Sequence, residues 1–217
     1  VYLLKAQRAR LYELRGKTDK AEALYKELCQ PGAASYIFGP DYAAFLERRG
    51  RADEAKTLWS GIAAQTGDAA AKAALARIAA NGAPPALPDL KASLAQALFV
   101  SSTIAYSERD SEMALASVRL SLYLDPTPDR VRIFLGQVEQ ALNDDDSADA
   151  VWAAIGRDSP FSAEASLRRA GLRRDNGDSA GALSLLDQAL SAAPENLSLV
   201  SEKAGLLHAD VKDRAPL

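Results

Sequence analysis

The chain has few of the side chains on which metal sites and disulfide frameworks depend. Among its 217 residues there is one cysteine (Cys29), one histidine (His208) and one methionine (Met113). A disulfide scaffold needs cysteines in even number, and an all-protein zinc or iron–sulfur site needs several soft ligands. We therefore expect no metal site and no cofactor.

The sequence also lacks a strong charge of one sign and a long hydrophobic run. It has 26 basic and 29 acidic residues, a formal net charge of −3, so no global field recruits nucleic acid. The apolar runs are short and rich in alanine, and the run over 69–80 contains Lys72 and Arg77. Because a membrane-spanning helix needs about 20 apolar residues, we expect neither nucleic-acid binding nor direct membrane insertion.

Alanine is abundant, at about one residue in five, while aromatic residues make up only 6 %. Alanine favours helix intrinsically, and small residues let helices approach closely. No segment shows sustained alternation rich in Val, Ile and Thr, which is the pattern of a strand. The composition therefore predicts an all-α protein.

A spacing of 34 residues recurs along the chain. It separates Gly16 from Gly50, and Ala21 from Ala55. A second series with the same spacing consists of alanines, each followed twelve residues later by a proline: Ala114, Ala148 and Ala182 with Pro126, Pro160 and Pro194. A period of this length is the signature of a repeat architecture.

Each repeat is predicted to be two helices joined by a tight turn. Twelve residues before the alanine of each repeat lies a small residue, where two helices cross closely: Ala9, Ala43, Ser102, Gly136 and Ala170. The turns hold Gly16, Gly50 and Gly177, which tolerate a positive φ, or Asn143, which is the next best residue there. Arg109 departs from this rule and predicts a slightly strained or differently shaped turn.

A 34-residue helix–turn–helix repeat with these landmarks resembles the tetratricopeptide repeat, and residues 116–126 and 182–196 are especially similar to the end of that motif. The resemblance implies a right-handed α–α superhelix of about five such repeats plus a terminal helix, with a concave inner wall that binds proteins. The order of repeats also resembles large multi-repeat bacterial proteins of this family, which favours the periplasm or cell envelope over the cytoplasm.

The register slips once, by 25 residues, between the second and third repeats. Residues 68–80 are predicted to form an extra helix with Asp68 as its N-cap, and the prolines in 81–88 cannot continue it. We therefore predict two repeats in 1–67, the inserted helix and a proline-rich elbow in 68–89, three repeats in 90–195 and the first helix of a sixth in 196–217. The break is an elbow within one solenoid, which we favour, or a boundary between two.

The two ends of the sequence suggest that it is part of a longer polypeptide. The chain begins inside an apparent helix, which suggests a fragment or a processed product. In the last helix, Leu199, Leu206 and Leu207 are expected to form an apolar outer face, which predicts a continuation beyond Leu217.

The resemblance also implies which positions line the concave wall: one and four residues after the small residue, and three and six before it. The candidate partner-binding residues, including Arg168 beside this row, are Gln96, Phe99, Thr103, Tyr106, Arg130, Gln137, Gln140, Arg168 and Arg174. Such a mixture of aromatic, amide and cationic groups suits an extended segment or a helix of another protein. In the first repeat Ala6 and Arg10 replace the Lys and Asn of chaperone-binding family members, so that specificity is not expected.

Alternative interpretations remain for two of these groups. Phe99 and Tyr106 either face a partner or pack against the inserted helix over 68–80. The arginines of residues 167–175 either clamp an acidic peptide, since Arg pairs with carboxylates through two bonds, or form a solvated charged face.

Catalytic interpretations have little support in the sequence. His208 has no Ser or Cys at a spacing that would pair a nucleophile with a base. Cys29 is expected to fill a small apolar gap. The acidic residues of 143–146 are expected to cap a helix. We therefore predict a non-catalytic scaffold that binds a protein partner. The alternatives are a self-associating solenoid, and a helical-repeat module of a larger protein that carries its catalytic domain elsewhere.

Overall fold

The computed structural model of the protein describes residues 2–30 and 34–213, with the side chains of residues 34–36 and 209–213 excepted, and no strand occurs in these ranges. The helices are α1 (Tyr2–Leu14), α2 (Thr18–Leu28), α3 (Ala34–Arg48), α4 (Ala52–Thr66), α5 (Ala69–Ala79), α6 (Leu90–Ser107), α7 (Ser111–Leu124), α8 (Asp129–Ala141), α9 (Asp145–Ala153), α10 (Ser162–Asp175), α11 (Ser179–Ala192) and α12 (Leu197–Asp213). The predicted all-α fold is confirmed.

Successive helices pair as hairpins, and the small residue of each repeat lies at the crossing. The pairs are α1 with α2, α3 with α4, α6 with α7, α8 with α9 and α10 with α11. Ala9, Ala43, Ser102 and Ala170 are completely buried. At Gly136 an added Cβ would collide with the indole of Trp152, so only glycine permits this close approach.

The turn within each hairpin has the left-handed conformation that the sequence predicts for its glycines. Gly16, Gly177 and Asn143 have φ values of +68°, +79° and +62°. Arg109 has a φ of +65° as well. The backbone N–H of the next residue, Asp110, donates to Ala105 O at 2.9 Å and closes the same turn. Of the two alternatives expected at Arg109, the structure shows the strained one: a residue with a Cβ adopts the left-handed conformation in a turn of the usual shape.

The chain forms two compact units, Val1–Thr127 and Pro128–Leu217. The core of the first unit is built around packed aromatic rings, with the Tyr25 ring tilted against that of Phe45 at a centroid distance of 5.2 Å. Trp59 Nε1 donates to Glu47 at 2.8 Å, and Arg77 of α5 donates to both oxygens of the same carboxylate at 2.7 and 2.6 Å. The inserted helix, whose N-cap Asp68 accepts from Ala70 N at 2.7 Å, is thereby fixed to the second hairpin.

The third hairpin of the first unit does not continue from α5. Helix α6 packs against α7 and α1, and Val100 joins a buried cluster with Ala6, Leu28 and Phe38. Residues 83–88, which we call the strap, connect α5 to α6 without helical hydrogen bonding. Since each proline lacks an N–H and restricts the residue before it to extended conformations, the strap crosses the unit as an extended segment.

The second unit contains α8 to α12. Trp152 is 1 % exposed, and its Nε1 donates to Ile133 O at 3.1 Å. In α9 the N-cap Asp144 accepts from Ser147 N at 3.2 Å, which confirms that this acidic run caps a helix. None of the described helices is long and apolar enough to cross a bilayer.

The expectation for the last helix is partly wrong. Leu199 and Leu206 do not form an outer face: they are buried in a cluster with Ala182 and Leu186, and only Leu207 is exposed. The reason is helical geometry, since residues seven apart share the face that packs on α11, whereas Leu207 lies about 100° away around the helix.

Candidate functional site

The candidate residues of α6 share one face of that helix in the first unit. Gln96, Phe99, Thr103 and Tyr106 are spaced by three and four residues and are all half-buried. The helices against which α6 packs most extensively are α7 and α1. Packing of Phe99 and Tyr106 on the inserted helix is therefore not the main contact of α6. The hydroxyl of Thr103 donates to Val100 O at 2.8 Å, so its proton is already used.

Helix α8 carries the candidates of the fourth repeat in the second unit. Arg130, Gln137 and Gln140 are half-buried and lie on one side of the helix at spacings of seven and three. Within the described part of the chain, the side-chain amides of Gln137 and Gln140 make no hydrogen bond. Both side chains can therefore donate to and accept from a peptide backbone.

An open cavity of about 560 Å³ lies between α10 and α12 of the second unit. Three wall positions implied for the fifth repeat line it, namely Leu167, Gly171 and Arg174. The remaining lining residues come from the region of α12: Leu197, Ser198, Ser201 and Glu202. The structure thus brings together the wall positions of two successive repeats.

Ser198 and Ser201 are binding candidates that the sequence analysis missed. They lie six and three residues before Ala204, which is 34 residues after Ala170. The spacing rule that gives Leu167 and Glu164 in the fifth repeat therefore also gives these two serines in the sixth. The signal was present in the 34-residue register.

The arginines of α10 are all paired within the protein. Arg174 contacts the carboxylates of Asp175 and Glu202. Arg168 lies over the Trp152 ring and pairs with Glu164 at 2.9 Å. The other two pairs are Arg169 with Asp149 and Arg173 with Asp178. A ligand carboxylate would have to displace these partners, so the geometry favours the charged-face interpretation over an acidic-peptide clamp.

The inner face of the first two repeats is covered by the protein itself. Ala6 and Arg10, the wall positions of the first repeat, are 2 % and 4 % exposed. Residues 85–88 of the strap share with Arg10, Ala44 and Arg48 the lining of a cavity of about 100 Å³. Arg48 donates to Pro85 O at 3.5 Å. The strap therefore lies where the resemblance places a bound partner segment.

Two ion pairs hold the cations of this covered face. Arg48 pairs with Glu13 through two bonds of 2.7 and 3.0 Å, and Arg10 donates to Asp41 at 2.6 Å. The Tyr25 hydroxyl also donates to Glu13, at 3.2 Å. Burial, together with the nearby Glu13 carboxylate, raises the pKa of Tyr25, so this phenol stays protonated and remains a donor.

The residues considered for catalysis have ordinary structural surroundings. Cys29 ends α2 and packs against the core of the first unit. Burial, with a smaller contribution from Asp41, raises the pKa of its thiol to about 11, so the thiolate is scarce at neutral pH. His208 is exposed near the end of α12. Within residues 2–30 and 34–208, no cluster of three His, Cys, Asp or Glu side chains is placed to hold a metal ion.

Comparisons with known proteins give structural likeness only. Neither family models nor curated proteins match the sequence. A thermophilic TPR protein from Thermus thermophilus is 17 % identical over 95 % of this chain and 99 % of its own, with a TM-score of 0.43. A tetratricopeptide repeat protein from Parabacteroides merdae is 15 % identical over 94 % of this chain and 72 % of its own, with a TM-score of 0.46. These values carry no functional argument.

The fold follows from the molecule's own geometry. Apart from the 25-residue slip between the second and third repeats, its hairpins recur every 34 residues, each with a small residue at the helix crossing and a left-handed residue in the turn. The chain has a tetratricopeptide-like fold.

Proposed function

We propose that the protein is a non-catalytic scaffold that binds an extended or helical segment of a protein partner along the inner face of its repeats. The observation that carries this proposal is the open cavity between α10 and α12, which is lined by wall positions of two successive repeats. Concave surfaces of stacked repeats are suited to long, irregular protein segments rather than to a small substrate.

The lining of this cavity suits a polypeptide. Leu167 and Leu197 offer aliphatic surface, and Ser198 and Ser201 offer hydroxyl groups to peptide N–H and C=O groups. An added Cβ at Gly171 would meet its nearest neighbour, Arg174 Nη2, only at 3.9 Å. A bound backbone can therefore approach closely at this position.

The proposal is tested by filling the cavity without disturbing the fold. Gly171→Phe places a ring in the open space, and Gly61→Phe is the matched control, because a Cβ at Gly61 in α4 also meets nothing within 4 Å. The purified full chain would be used to select peptides from a displayed random library. We expect wild type and Gly61→Phe to bind the selected peptides alike, and Gly171→Phe to bind them at least tenfold more weakly.

Two results would overturn the proposal. One is a selected peptide set whose binding is unaffected by Gly171→Phe. The other is catalytic turnover of a metabolite by the purified chain that a single substitution abolishes, since this would make the protein an enzyme.

Substitutions at two other candidate wall residues are expected to weaken binding without disturbing the fold. Tyr106→Ala in the first unit and Arg130→Glu in the second should weaken partner capture while helicity and melting temperature stay near those of wild type. Circular dichroism checks the folding. Loss of fold from either substitution would assign that residue to the core instead.

A second candidate function is self-association through the last helix. Ala204 occupies the same position in its repeat as Ala9 and Ala170, which are completely buried, but Ala204 itself is exposed. On the same helix, Leu197 and Leu207 are 82 % and 46 % exposed. This face of α12 resembles one that another helix covers. Light scattering over a concentration series tests it, with Leu207→Glu expected to abolish any dimer and Ser191→Glu to leave it unchanged.

The third alternative, a repeat module attached to a catalytic domain elsewhere in a longer polypeptide, stays a prediction. The full-length open reading frame distinguishes it from the other two.

A further inference from the structure

The strap lies on the inner face of the first two repeats. Arg10 and Ala44 directly follow the small residues Ala9 and Ala43, which makes them wall positions by the same rule that gives Gly171 in the fifth repeat. Both line the small cavity that residues 85–88 close from the other side. A segment of this chain therefore occupies the place of a ligand.

The chemistry of the strap is that of a pre-organised peptide ligand. Its sequence is Ala-Pro-Pro-Ala-Leu-Pro, and three of its six residues are prolines. A segment of this kind is extended before it binds, so binding orders it at a low cost in conformational entropy. Because prolines have no N–H, the wall needs to supply donors rather than acceptors.

The wall supplies such donors in fixed positions. Arg48 is held by Glu13 and donates to Pro85 O at 3.5 Å. Arg10 is held by Asp41, and its second terminal nitrogen, Nη1, is buried without a hydrogen-bond partner among the described residues. Arg48 thus donates to a carbonyl oxygen of the strap, and Arg10 brings a second guanidinium donor to the same small cavity.

The strap is only partly buried. Pro85, Leu87 and Pro88 are half-buried, whereas Ala83, Pro84 and Ala86 are exposed. Its contact with the wall is therefore made by one side of an extended segment, and little apolar surface would have to be uncovered to release it.

We infer that the inner face of the first two repeats is a binding site for an extended, proline-containing peptide segment, and that the strap occupies this site as an internal ligand. A partner segment of the same chemistry binds by displacing the strap. The inference rests on the proposed function in assigning peptide binding to the inner face, but it concerns residues other than those around Gly171.

The test compares the full chain with and without a competent strap. The opened variant combines Pro85→Ser, Leu87→Ser and Pro88→Gly, which keep the length of the connection. The probe is a fluorescein-labelled peptide with the sequence of residues 82–89, and its binding is followed by fluorescence anisotropy. We expect the opened variant to bind this peptide at least tenfold more tightly than wild type, and a version of the peptide with alanine in place of every proline to bind at least tenfold more weakly.

The location of the bound peptide is tested in the same background. Ala44→Phe, which fills the wall beneath the strap, should weaken binding to the opened variant at least tenfold, whereas Gly61→Phe in α4 should have no effect. If the opened variant is folded by circular dichroism and binds no more tightly than wild type, or if Ala44→Phe has no effect on its binding, the inference is wrong.

A measurement on the wild-type chain covers the case in which the opened variant does not fold. The backbone amide NMR resonances of Ala86 and Leu87 should shift when millimolar peptide displaces the strap, and unchanged resonances would overturn the inference. The two proposals fail separately, because Gly171→Phe leaves the strap site intact and the strap variants leave the cavity between α10 and α12 intact.

Discussion

The two units use their inner faces differently. In the first unit, two wall positions of the first repeat are buried, Arg10 beside the strap and Ala6 in a cluster with Val100 of α6. In the second unit, the wall positions Leu167, Gly171 and Arg174 of the fifth repeat line a cavity that is open to solvent. The repeat determines which way a side chain points, whereas segments inserted between repeats determine whether it is exposed to solvent.

The ion pairs of the two faces differ in the same way. The side chains of Arg48 and Glu13 in the first unit are 15 % and 7 % exposed, while those of Arg174 and Asp175 in the second are 46 % and 60 % exposed. Breaking a buried pair leaves an uncompensated charge in a poor solvent, whereas exposed pairs contribute little to stability. The covered face is thus part of the core of its unit, and the open face is not.

The largest effect should come from the core of the second unit. Trp152→Ala removes a fully buried indole and its hydrogen bond to Ile133 O, and we expect the free energy of unfolding to fall by about 3–5 kcal/mol. Urea denaturation measures the change, with Tyr123→Ala, at an exposed aromatic residue, as the control. A loss below about 1 kcal/mol would show that Trp152 is not a core residue.

The next effect compares the two faces directly. Glu13→Ala should destabilise the protein by about 3 kcal/mol, because it leaves the Arg48 guanidinium buried and unpaired. Asp175→Ala, in the exposed pair with Arg174, should cost less than about 0.5 kcal/mol. Equal losses in urea denaturation would mean that the covered face is no more core-like than the open one.

A smaller effect, opposite in sign, is expected at the turn of the third repeat. Arg109→Gly should raise the free energy of unfolding by about 1 kcal/mol, because glycine adopts the φ of +65° without strain. Gly177→Arg makes the reverse change in the second unit and should lower it by a similar amount. Thermal melting of the pair checks both, and a destabilising Arg109→Gly would contradict the account of strain.

The smallest effect depends on pH. Hydrogen bonds from Lys26 and then Arg51 lower the pKa of Glu22 from 4.5 to about 2. Its contribution is therefore complete above pH 4.5 and is lost as the pH falls towards 2; for a partly exposed pair it amounts to at most about 1 kcal/mol. Urea denaturation at several pH values should show a shallower loss of stability in Glu22→Gln than in wild type over this range.

The elements that local chemistry determines could be predicted from sequence. Glycine and asparagine in the turns, proline after the second helices and a small residue at each crossing all act within a few residues, and the hairpins follow from them. The N-caps at Asp68 and Asp144 belong to the same class. Ser198 and Ser201 could also have been found by extending the 34-residue register one repeat further.

Contacts between distant segments could not be predicted. No periodic signal indicates that Val100 of α6 meets Ala6 of α1, or that the strap lies beside Arg48. The apolar residues of α12 show the same limit, since Leu199 and Leu206 became a core face only once their partner helix was known. Helical periodicity identifies apolar faces, but it does not identify which neighbour covers each one.

The two tryptophans of the sequence are divided evenly, Trp59 in the first unit and Trp152 in the second. Each indole is nearly inaccessible and donates its N–H to a different acceptor, a carboxylate in one case and a main-chain oxygen in the other. The molecule thereby carries one tryptophan fluorophore per half. Replacing either one by phenylalanine would let emission from the other report whether the halves melt together or one after the other.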